Sequence, residues 1–145
     1  MAELSVLSDL RELIKFVYQI RFREDEKFGL QSQIRRAAVS VALNIREGNV
    51  FEGKNKKKFF MQALGSLQEV DECMEICKNL RILSFLPSDL TTMDFIERLG
   101  EDYDNSKNSF EHYFDYYRKI YYWLVLNKLK KLIQSIHSGG PDGTS

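Results

Sequence analysis

Apolar residues recur at three- and four-residue intervals along most of this chain, the spacing that places them on one face of an α-helix. The pattern predicts a first helix over residues 5–22 and a second over residues 30–47, with Gly48 as the glycine that follows the second helix. The predicted buried faces consist of Leu10, Leu13, Ile14, Val17 and Ile20, and of Leu30, Ile34, Ala38, Val41 and Ile45. No alternating strand pattern bounded by turn residues appears, and only two of the 145 residues are proline. The pattern therefore predicts an all-α fold.

A third helix is predicted after a short loop over residues 49–54. Asn55 is of a residue type that caps helix N-termini, and the helix continues to about Arg81. Its predicted buried face consists of Phe60, Ala63, Leu64, Leu67, Met74 and Cys77. Gly65, in the middle of this helix, costs about 1 kcal/mol relative to alanine, so we expect a neighbouring helix to pass close to it.

The last third of the chain is predicted to contain a short helix over residues 88–99 and a long helix over residues 109–137. The polar residues 100–109 between them are interpreted as a loop, with one continuous helix as the alternative. The long helix has a predicted seam of Phe110, Tyr113, Phe114, Tyr117, Ile120, Tyr121, Leu124 and Leu132. Residues 138–145 are expected to form a flexible tail. We therefore expect an antiparallel four-helix bundle over residues 1–137, with a short extra helix before the last long one.

Composition narrows the class of protein. A length of 145 residues suits one domain, at roughly 100 to 200 residues per domain. Two cysteines cannot frame a disulfide-rich secreted fold, and the first ten residues lack the regions of a signal peptide. The longest apolar run, residues 120–126, is far shorter than the about 20 residues of a membrane span. We expect a cytoplasmic protein that does not enter a membrane.

The formal net charge of zero conceals a strong partition of charge along the chain. Residues 1–60 carry 12 basic and 8 acidic side chains, residues 61–115 carry 4 and 12, and residues 116–145 carry 5 and 1. Such a partition predicts a dipolar surface that binds polyanions on one side or pairs basic with acidic faces between subunits. Ordinary solvated helix faces are the alternative explanation.

A cluster of lysines, defined as Lys54, Lys56, Lys57 and Lys58, lies at the start of the third helix. Cations there oppose the helix dipole by about 0.3 to 1 kcal/mol each, whereas a bound phosphate would reverse the sign of that effect. Arg46 lies one loop away, and Arg35 and Arg36 lie about three turns back along the second helix. We expect these seven residues to form an RNA-phosphate surface, with a lysine cluster kept for solubility as the alternative. Arg35 and Arg36 are equally suited to structural ion pairs, because a guanidinium binds carboxylate and phosphate alike.

Two further sets of residues are candidates for an oligomer interface. Gln33, Ser40 and Asn44 share a stripe of small and polar residues on the second helix, which suits either packing within the chain or contact between subunits. Tyr116 and Trp123 are seven residues apart and are expected to face away from the aromatic seam of the last helix. Tyrosine and tryptophan are enriched at protein interfaces, and they also stack on unpaired bases. For these two aromatics we favour the interface.

The sequence gives little support for metal binding or catalysis. Cys73 and Cys77 are four residues apart, but the only histidines, His112 and His137, lie on a different predicted helix, so buried apolar cysteines are expected. No Gly-rich phosphate loop, GxSxG elbow or HExxH motif is present. We expect no metal, no cofactor, no small-molecule substrate and no enzymatic activity.

Residues 27–41 carry a specific resemblance in the run KFGLQSQIRRAAVSV. The match continues with Asn44-Ile45, Glu47-Gly48, Phe59, Gly65-Ser66-Leu67 and Glu69. The chain resembles the four-helix-bundle proteins encoded within intervening sequences of bacterial 23S ribosomal RNA genes. It departs from their usual Pro-Ser at Ala42-Leu43 and from their usual alanine at Arg46, and it has additional residues around 84–108.

The resemblance implies a cytoplasmic bacterial homopentamer without established enzymatic activity. A distant relative, the accessory variability determinant of diversity-generating retroelements, is a basic pentameric barrel that partners a reverse transcriptase and binds nucleic acid. We therefore expect a self-assembling bundle that binds structured RNA or a ribonucleoprotein through basic helix ends. The alternative is a protein-interaction module, for example a partner of a reverse transcriptase or another polymerase, with no direct contact to nucleic acid.

Overall fold

Helices make up nearly all of the part of the chain that the computed structural model describes, which is residues 2–80, 83–85 and 109–136. The helices are α1 (Ala2–Gln19), α2 (Leu30–Gly48), α3 (Gly53–Leu80), α4 (Ser109–Tyr117) and α5 (Trp123–Gln134). A 3-10 turn (Glu24–Glu26) precedes α2, and a π-helical segment (Arg118–Tyr122) joins α4 to α5. The prediction of an all-α fold is confirmed. The predicted helix over 88–99, almost all of the predicted loop over 100–109 and the predicted tail lie outside the described residues.

The predicted buried faces of the first three helices form the core. In the first two of these faces every residue is fully buried except Ile14 and Leu30, which are partly buried. In α3 only Leu64 of the predicted face is partly buried. The helix α2 packs along α3, while α1 packs on α2 and α5, and α3 also packs on α5. Each fully buried aliphatic or aromatic side chain contributes about 1.5 to 3 kcal/mol, so this core is the main source of stability. No helix in the described parts of the chain is long and apolar enough to cross a lipid bilayer.

The first helix ends three residues earlier than predicted. Residues Arg21–Phe22 form a short strand, β1, that pairs in antiparallel fashion with a second strand, β2 (Leu83–Phe85). The backbone groups of β1 are therefore used in a ladder with residues far along the chain. The spacing of apolar residues within residues 5–22 contains no information about β2, so the predicted helix included the residues of β1.

Gly48 differs from its predicted role as the glycine beyond α2. It is the last residue of the helix and is buried, and the next residue, Asn49, keeps a right-handed φ of −64°. A Cβ atom at Gly48 would lie 2.9 Å from two ring carbons of Phe60 and 3.0 Å from Cβ of Phe59. Gly48 is therefore required for the close approach of α3 to the end of α2 rather than for a left-handed cap.

The third helix begins earlier than predicted, at Gly53. Gly53 has a φ of 58°, which side-chain-bearing residues rarely adopt, and it turns the chain directly into α3. Asn55 consequently lies inside the first turn and is not the N-cap. The whole of the lysine cluster lies within the first two turns of the helix.

The aromatic seam of the last helix is shifted by one residue relative to the prediction. A π-helical turn holds one residue more than an α-helical turn, so the buried position after Tyr117 is Tyr122 rather than Tyr121. Ile120 and Leu124, which were placed on the seam, are exposed as a result. Tyr116 was predicted to face away from the seam, and this is wrong, because its side chain is only 5% exposed and packs edge-on against Tyr121.

Gly65 also differs from expectation. It is exposed, and apart from its chain neighbours and the nearby backbone of α3 itself, no atom of the described residues lies within 4 Å of the position that its Cβ would occupy. The predicted helix passing close to Gly65 is therefore absent from the described part of this chain.

Candidate nucleic-acid interface

The lysine cluster lies on a short, well-defined turn between α2 and α3. A loop of four residues, 49–52, connects the two helices, and Arg46 occupies the last turn of α2. The backbone N–H of Phe51 donates to the carbonyl of Gly48 at 3.0 Å. The rings of Phe51 and Phe59 stack with their centroids 5.4 Å apart and their planes 6° from parallel. These contacts fix the geometry of the turn on which the basic residues are carried.

Most of the basic side chains at this turn are available to solvent. Lys54, Lys57, Lys58 and Arg46 are exposed, and the ammonium group of Lys58 lies 6.0 Å from the ring centroid of Phe59. Lys56 is partly buried, with its ammonium group 5.9 Å from the ring of Phe60. The first turn of α3 contains no acidic residue to compensate these charges.

Carboxylates near the turn balance only part of this charge. Glu47 and Glu52 lie in the same stretch of chain and are exposed. Within the described residues, neither carboxylate forms an ion pair with Lys54 or Lys57. Five cations therefore face two carboxylates at an end of α3 where the helix dipole is already positive. The turn between α2 and α3 therefore carries a net positive charge.

Arg35 and Arg36 lie apart from the lysine cluster. The ten residues from Arg36 to Arg46 correspond to about 15 Å of helix. The guanidinium of Arg35 lies against α1, where Nη2 donates to the carbonyl of Tyr18 at 3.2 Å and the group stacks 4.6 Å from the Tyr18 ring centroid. Arg36 is exposed, and its Nη2 donates to Oε1 of Gln33 at 2.8 Å. The structure thus divides the predicted phosphate-binding residues between two places.

The polar stripe of α2 has hydrogen-bond partners within the chain. Gln33 donates through Nε2 to the carboxylate of Glu69 on α3, and the hydroxyl groups of Ser40 and Ser66 are 2.9 Å apart. Asn44 donates to the carbonyl and the hydroxyl oxygen of Ser40 at 2.9 and 3.1 Å. The contacts of Gln33 and Ser40 join α2 to α3, whereas those of Asn44 stay within α2. Gln33, Ser40 and Asn44 all remain partly exposed. Their proposed contact with another subunit stays a prediction.

The last helix presents an apolar surface to solvent. Trp123 is 51% exposed, as its predicted interface role requires, whereas the buried Tyr116 has almost no surface to offer. Ile120, three residues before Trp123, and Leu124, the residue after it, are also exposed. The spacing puts the three side chains on one face of the helix. This face exists because of the π-helical shift, and the sequence pattern did not predict it.

An open groove of about 720 Å³ runs along the outer surface of α2, and it was not predicted. It is lined by Tyr18 of α1, by Phe28 in the turn before α2, and by residues of α2 as far as Asn44. Phe28 is 91% exposed. The groove brings together Arg35 and Arg36 with Ser40 and Asn44, which the sequence had assigned to separate sites. The available sequence signal was Phe28 itself, an aromatic residue in the polar stretch between the acidic residues 24–26 and the start of α2.

A second unpredicted feature is an ion-pair network between α3 and the π-helical segment. Arg118 donates to Asp71 and Glu75, and its guanidinium lies 4.4 Å from the ring centroid of Phe114. Burial alone would lower the pKa of Arg118, but the hydrogen bond to Asp71 and the charges of both carboxylates raise it above its usual value. Burial and the charge of Asp71 raise the pKa of Tyr117. Both shifts favour the charged form of Arg118 and the neutral form of Tyr117.

The cysteines on α3 are buried free thiols. Burial, with smaller effects of Glu69 and Glu72, raises the pKa of Cys73 to about 11. Burial and the neighbouring Cys73 raise the pKa of Cys77 to about 12. Both groups are therefore protonated near neutral pH, a state in which thiols are poor nucleophiles and poor metal ligands.

The fold and its charged helix ends define a small all-α protein with a basic turn and open interaction surfaces. The chain belongs to the 23S rRNA-intervening sequence protein family, whose sequence profile matches residues 2–95. This result confirms the resemblance carried by residues 27–69. No curated protein shows a significant sequence match to the chain.

Proposed function

We propose that this protein is a non-catalytic, self-assembling helical bundle that binds structured RNA or a ribonucleoprotein. The observation that carries the proposal is the lysine cluster at the start of α3, where four lysines and Arg46 flank one short turn and the first turn of α3 contains no acidic residue. This arrangement lowers the stability of the protein alone, because each cation opposes the helix dipole. A phosphate group converts the same charges into a favourable contact.

RNA phosphates suit this turn for two physical reasons. The free N–H groups at a helix N-terminus donate to phosphate oxygens, and the positive end of the dipole favours anions. Lysines that contact phosphates also release the counterions condensed on the nucleic acid, which adds favourable free energy at low salt. Lys54 and Lys57 are exposed and unpaired within the described residues, so they can be used without breaking an existing ion pair.

The helices are arranged, in this proposal, as an antiparallel four-helix bundle that assembles into a homo-oligomer. The Gln33–Glu69 and Ser40–Ser66 contacts support opposite directions for α2 and α3, because the residue number rises on one helix as it falls on the other. The open space beside Gly65 supports assembly, since it leaves room for a helix of another copy. The family resemblance makes a pentamer the expected number of subunits.

The experiment is a titration of ribosomal and unrelated RNA, followed by fluorescence anisotropy at salt concentrations from about 50 to 200 mM. The test variant is Lys54→Glu with Lys57→Glu, and the control is Arg11→Glu with Lys15→Glu on the exposed face of α1. Both variants change the net charge by the same amount. We expect only the test variant to lose affinity, by about tenfold or more, and to lower the slope of log K against log salt by about 2. Equal affinity of the test variant and the unmodified protein would overturn the proposal.

A second function is supported by the exposed apolar face of Ile120, Trp123 and Leu124. Exposed clusters of large apolar residues commonly mark protein–protein contacts. A polymerase, such as a reverse transcriptase, would dock on this face without contact between the bundle and nucleic acid. Absence of RNA binding even at the lowest salt concentration would favour this function over the first.

A further inference from the structure

The groove along α2 combines positive charge with aromatic surface. Lys27, Arg35 and Arg36 line it, and none of the described residues that line it is acidic. Tyr18 and Phe28 also line it. Phe28 makes little contact with the rest of the protein, since 91% of its surface is exposed. Tyr18 and Leu43, which also line the groove, are exposed as well, so Phe28 belongs to an exposed apolar cluster of the kind that marks interaction sites.

A second, smaller cavity extends the groove toward the end of α1. It has a volume of about 420 Å³ and shares Lys27, Gln31 and Arg35 with the groove. It adds one cation, Arg21, and one carboxylate, Glu24, whose Oε1 lies 4.0 Å from the ammonium group of Lys27. Four cations and one carboxylate thus line the combined surface, which is complementary to a polyanion.

The shape of the groove suits a single strand. Its residues on α2 extend from Gln31 to Asn44, which corresponds to about 20 Å of helix. The groove ends at Asn44, four residues before the C-terminal end of α2. It is therefore a surface separate from the lysine cluster on the following turn.

We propose that the groove binds unpaired bases of an RNA strand, with Phe28 stacking on one base and Arg35 and Arg36 contacting the neighbouring phosphates. This inference rests on the proposed RNA binding and names its substrate class as single-stranded segments. In a duplex the bases are stacked inside the helix, whereas unpaired bases offer a face to an aromatic ring. A cationic groove with aromatic side chains is the general solution for binding single strands, because every base has such a face.

The experiment uses the full chain and a single-stranded RNA of about 12 nucleotides that carries one 2-aminopurine, whose fluorescence is quenched on stacking. The variants are Phe28→Ala, Phe28→Leu and Phe28→Tyr, with Leu4→Ala as the control because Leu4 on α1 is also an exposed apolar residue and lies outside both proposed sites. Phe28→Ala and Phe28→Leu are expected to weaken binding by roughly 5- to 100-fold and to remove the quenching. Phe28→Tyr and Leu4→Ala are expected to retain both. The salt dependence of all four variants is expected to stay unchanged, since stacking releases no counterions.

The Lys54→Glu with Lys57→Glu variant separates this inference from the proposed function. If the lysine double variant lowers the salt slope and leaves the quenching unchanged, the result supports both sites. If Phe28→Ala binds RNA as well as the original protein, base binding in the groove is overturned, while the proposed role of the lysine cluster is unaffected. Loss of binding in Phe28→Ala with no effect of the lysine substitutions supports the groove alone.

A second copy of the chain is the other possible occupant of the groove. Sedimentation velocity of the variants without RNA tests this possibility, because it measures their oligomeric state. Dissociation of Phe28→Ala into monomers, with Phe28→Leu still assembled, would overturn base binding.

Discussion

The guanidinium of Arg118 is held by the carboxylate of Asp71 through two hydrogen bonds, from Nε to Oδ1 at 3.2 Å and from Nη2 to Oδ2 at 3.0 Å. Nη2 also donates to Oε2 of Glu75 at 2.7 Å. Arg118 is the first residue of the π-helical segment, and both carboxylates lie one turn apart on α3. This contact therefore links the shifted register of the last helix to the middle of α3.

Replacement of Arg118 by methionine should destabilise the protein by about 1 to 3 kcal/mol, because two partly buried carboxylates lose their shared donor. Arg118→Lys should restore only part of that loss, since an ammonium group cannot make the two parallel hydrogen bonds to Asp71. Urea unfolding measures both effects, with Lys130→Met as the control for loss of one exposed cation. An Arg118→Lys variant as stable as the original protein would contradict the importance of the paired geometry.

Gly48→Ala should destabilise the protein, although alanine is the better helix former. Its Cβ would lie 2.9 Å from the ring of Phe60, and the buried ring has little room to move, so a cost of about 1 to 3 kcal/mol is expected. Thermal or urea unfolding measures this cost. In a Phe60→Leu background the cost of Gly48→Ala should be smaller, and equal costs in the two backgrounds would refute the steric explanation.

Gly65→Ala should have the opposite effect on a single chain. Outside the adjoining residues and backbone of α3, no atom of the described residues lies within 4 Å of the new Cβ, so the helix gains about 1 kcal/mol of stability. A large side chain at this position tests the proposed assembly. Gly65→Lys should shift the sedimentation coefficient toward that of a monomer, while Ser8→Lys on the exposed face of α1 should not. An unchanged oligomeric state in Gly65→Lys would place the subunit contact elsewhere.

The positions of helices could be predicted from the sequence where they depend on residues that are close together in the chain. The faces of α1, α2 and α3 follow from the spacing of apolar residues, which acts within a few turns. The register after Tyr117 was not predictable in this way, because the π-helical turn accompanies contacts between Arg118 and residues more than 40 positions earlier in the chain. That shift exposed Ile120 and Leu124 and buried Tyr122. Tyr116 precedes the π-helical segment, and its burial shows that the buried face of α4 is wider than the predicted seam.

The same distinction separates the candidate site that the sequence predicted from the one that it did not. The lysine cluster was found from the sequence because a run of like charges at a helix start is visible in one dimension. The groove was missed because Phe28 and Tyr18 are brought beside α2 by the turn after α1. Gly65 was expected to mark the close approach of a neighbouring helix, and this is wrong within the described residues, because the space beside it is open.

Alkaline conditions should weaken the fold through the buried thiols of α3. Their ordinary pKa of 9.0 rises to about 11 at Cys73 and about 12 at Cys77 in the folded chain. The unfolded chain therefore loses these protons first, so the stabilising contribution is complete below pH 9 and is lost progressively as the pH rises toward 11 and 12. The raised pKa values of Tyr117 and Tyr122 act in the same direction above about pH 10.

Urea unfolding at several pH values measures this dependence. Between about pH 9 and 11 the free energy of unfolding should fall more steeply in the original protein than in a Cys73→Ala, Cys77→Ala double variant. The tyrosines are common to both proteins and cancel in the comparison. Identical pH slopes in the two proteins would show that the thiols do not contribute.

The lysine cluster should show opposite changes in stability and RNA binding. Lys57→Glu replaces a cation by an anion near the positive end of the α3 dipole, so it should stabilise the protein alone by about 0.3 to 1 kcal/mol or more. The same substitution should weaken RNA binding, because a phosphate contact is replaced by repulsion. Lys130→Glu near the C-terminal end of α5 is the matched control, since it should destabilise the helix and leave RNA affinity unchanged. Urea unfolding and fluorescence anisotropy on the same preparations measure the two quantities. A lysine cluster kept only for solubility would give the gain in stability without any loss of RNA affinity.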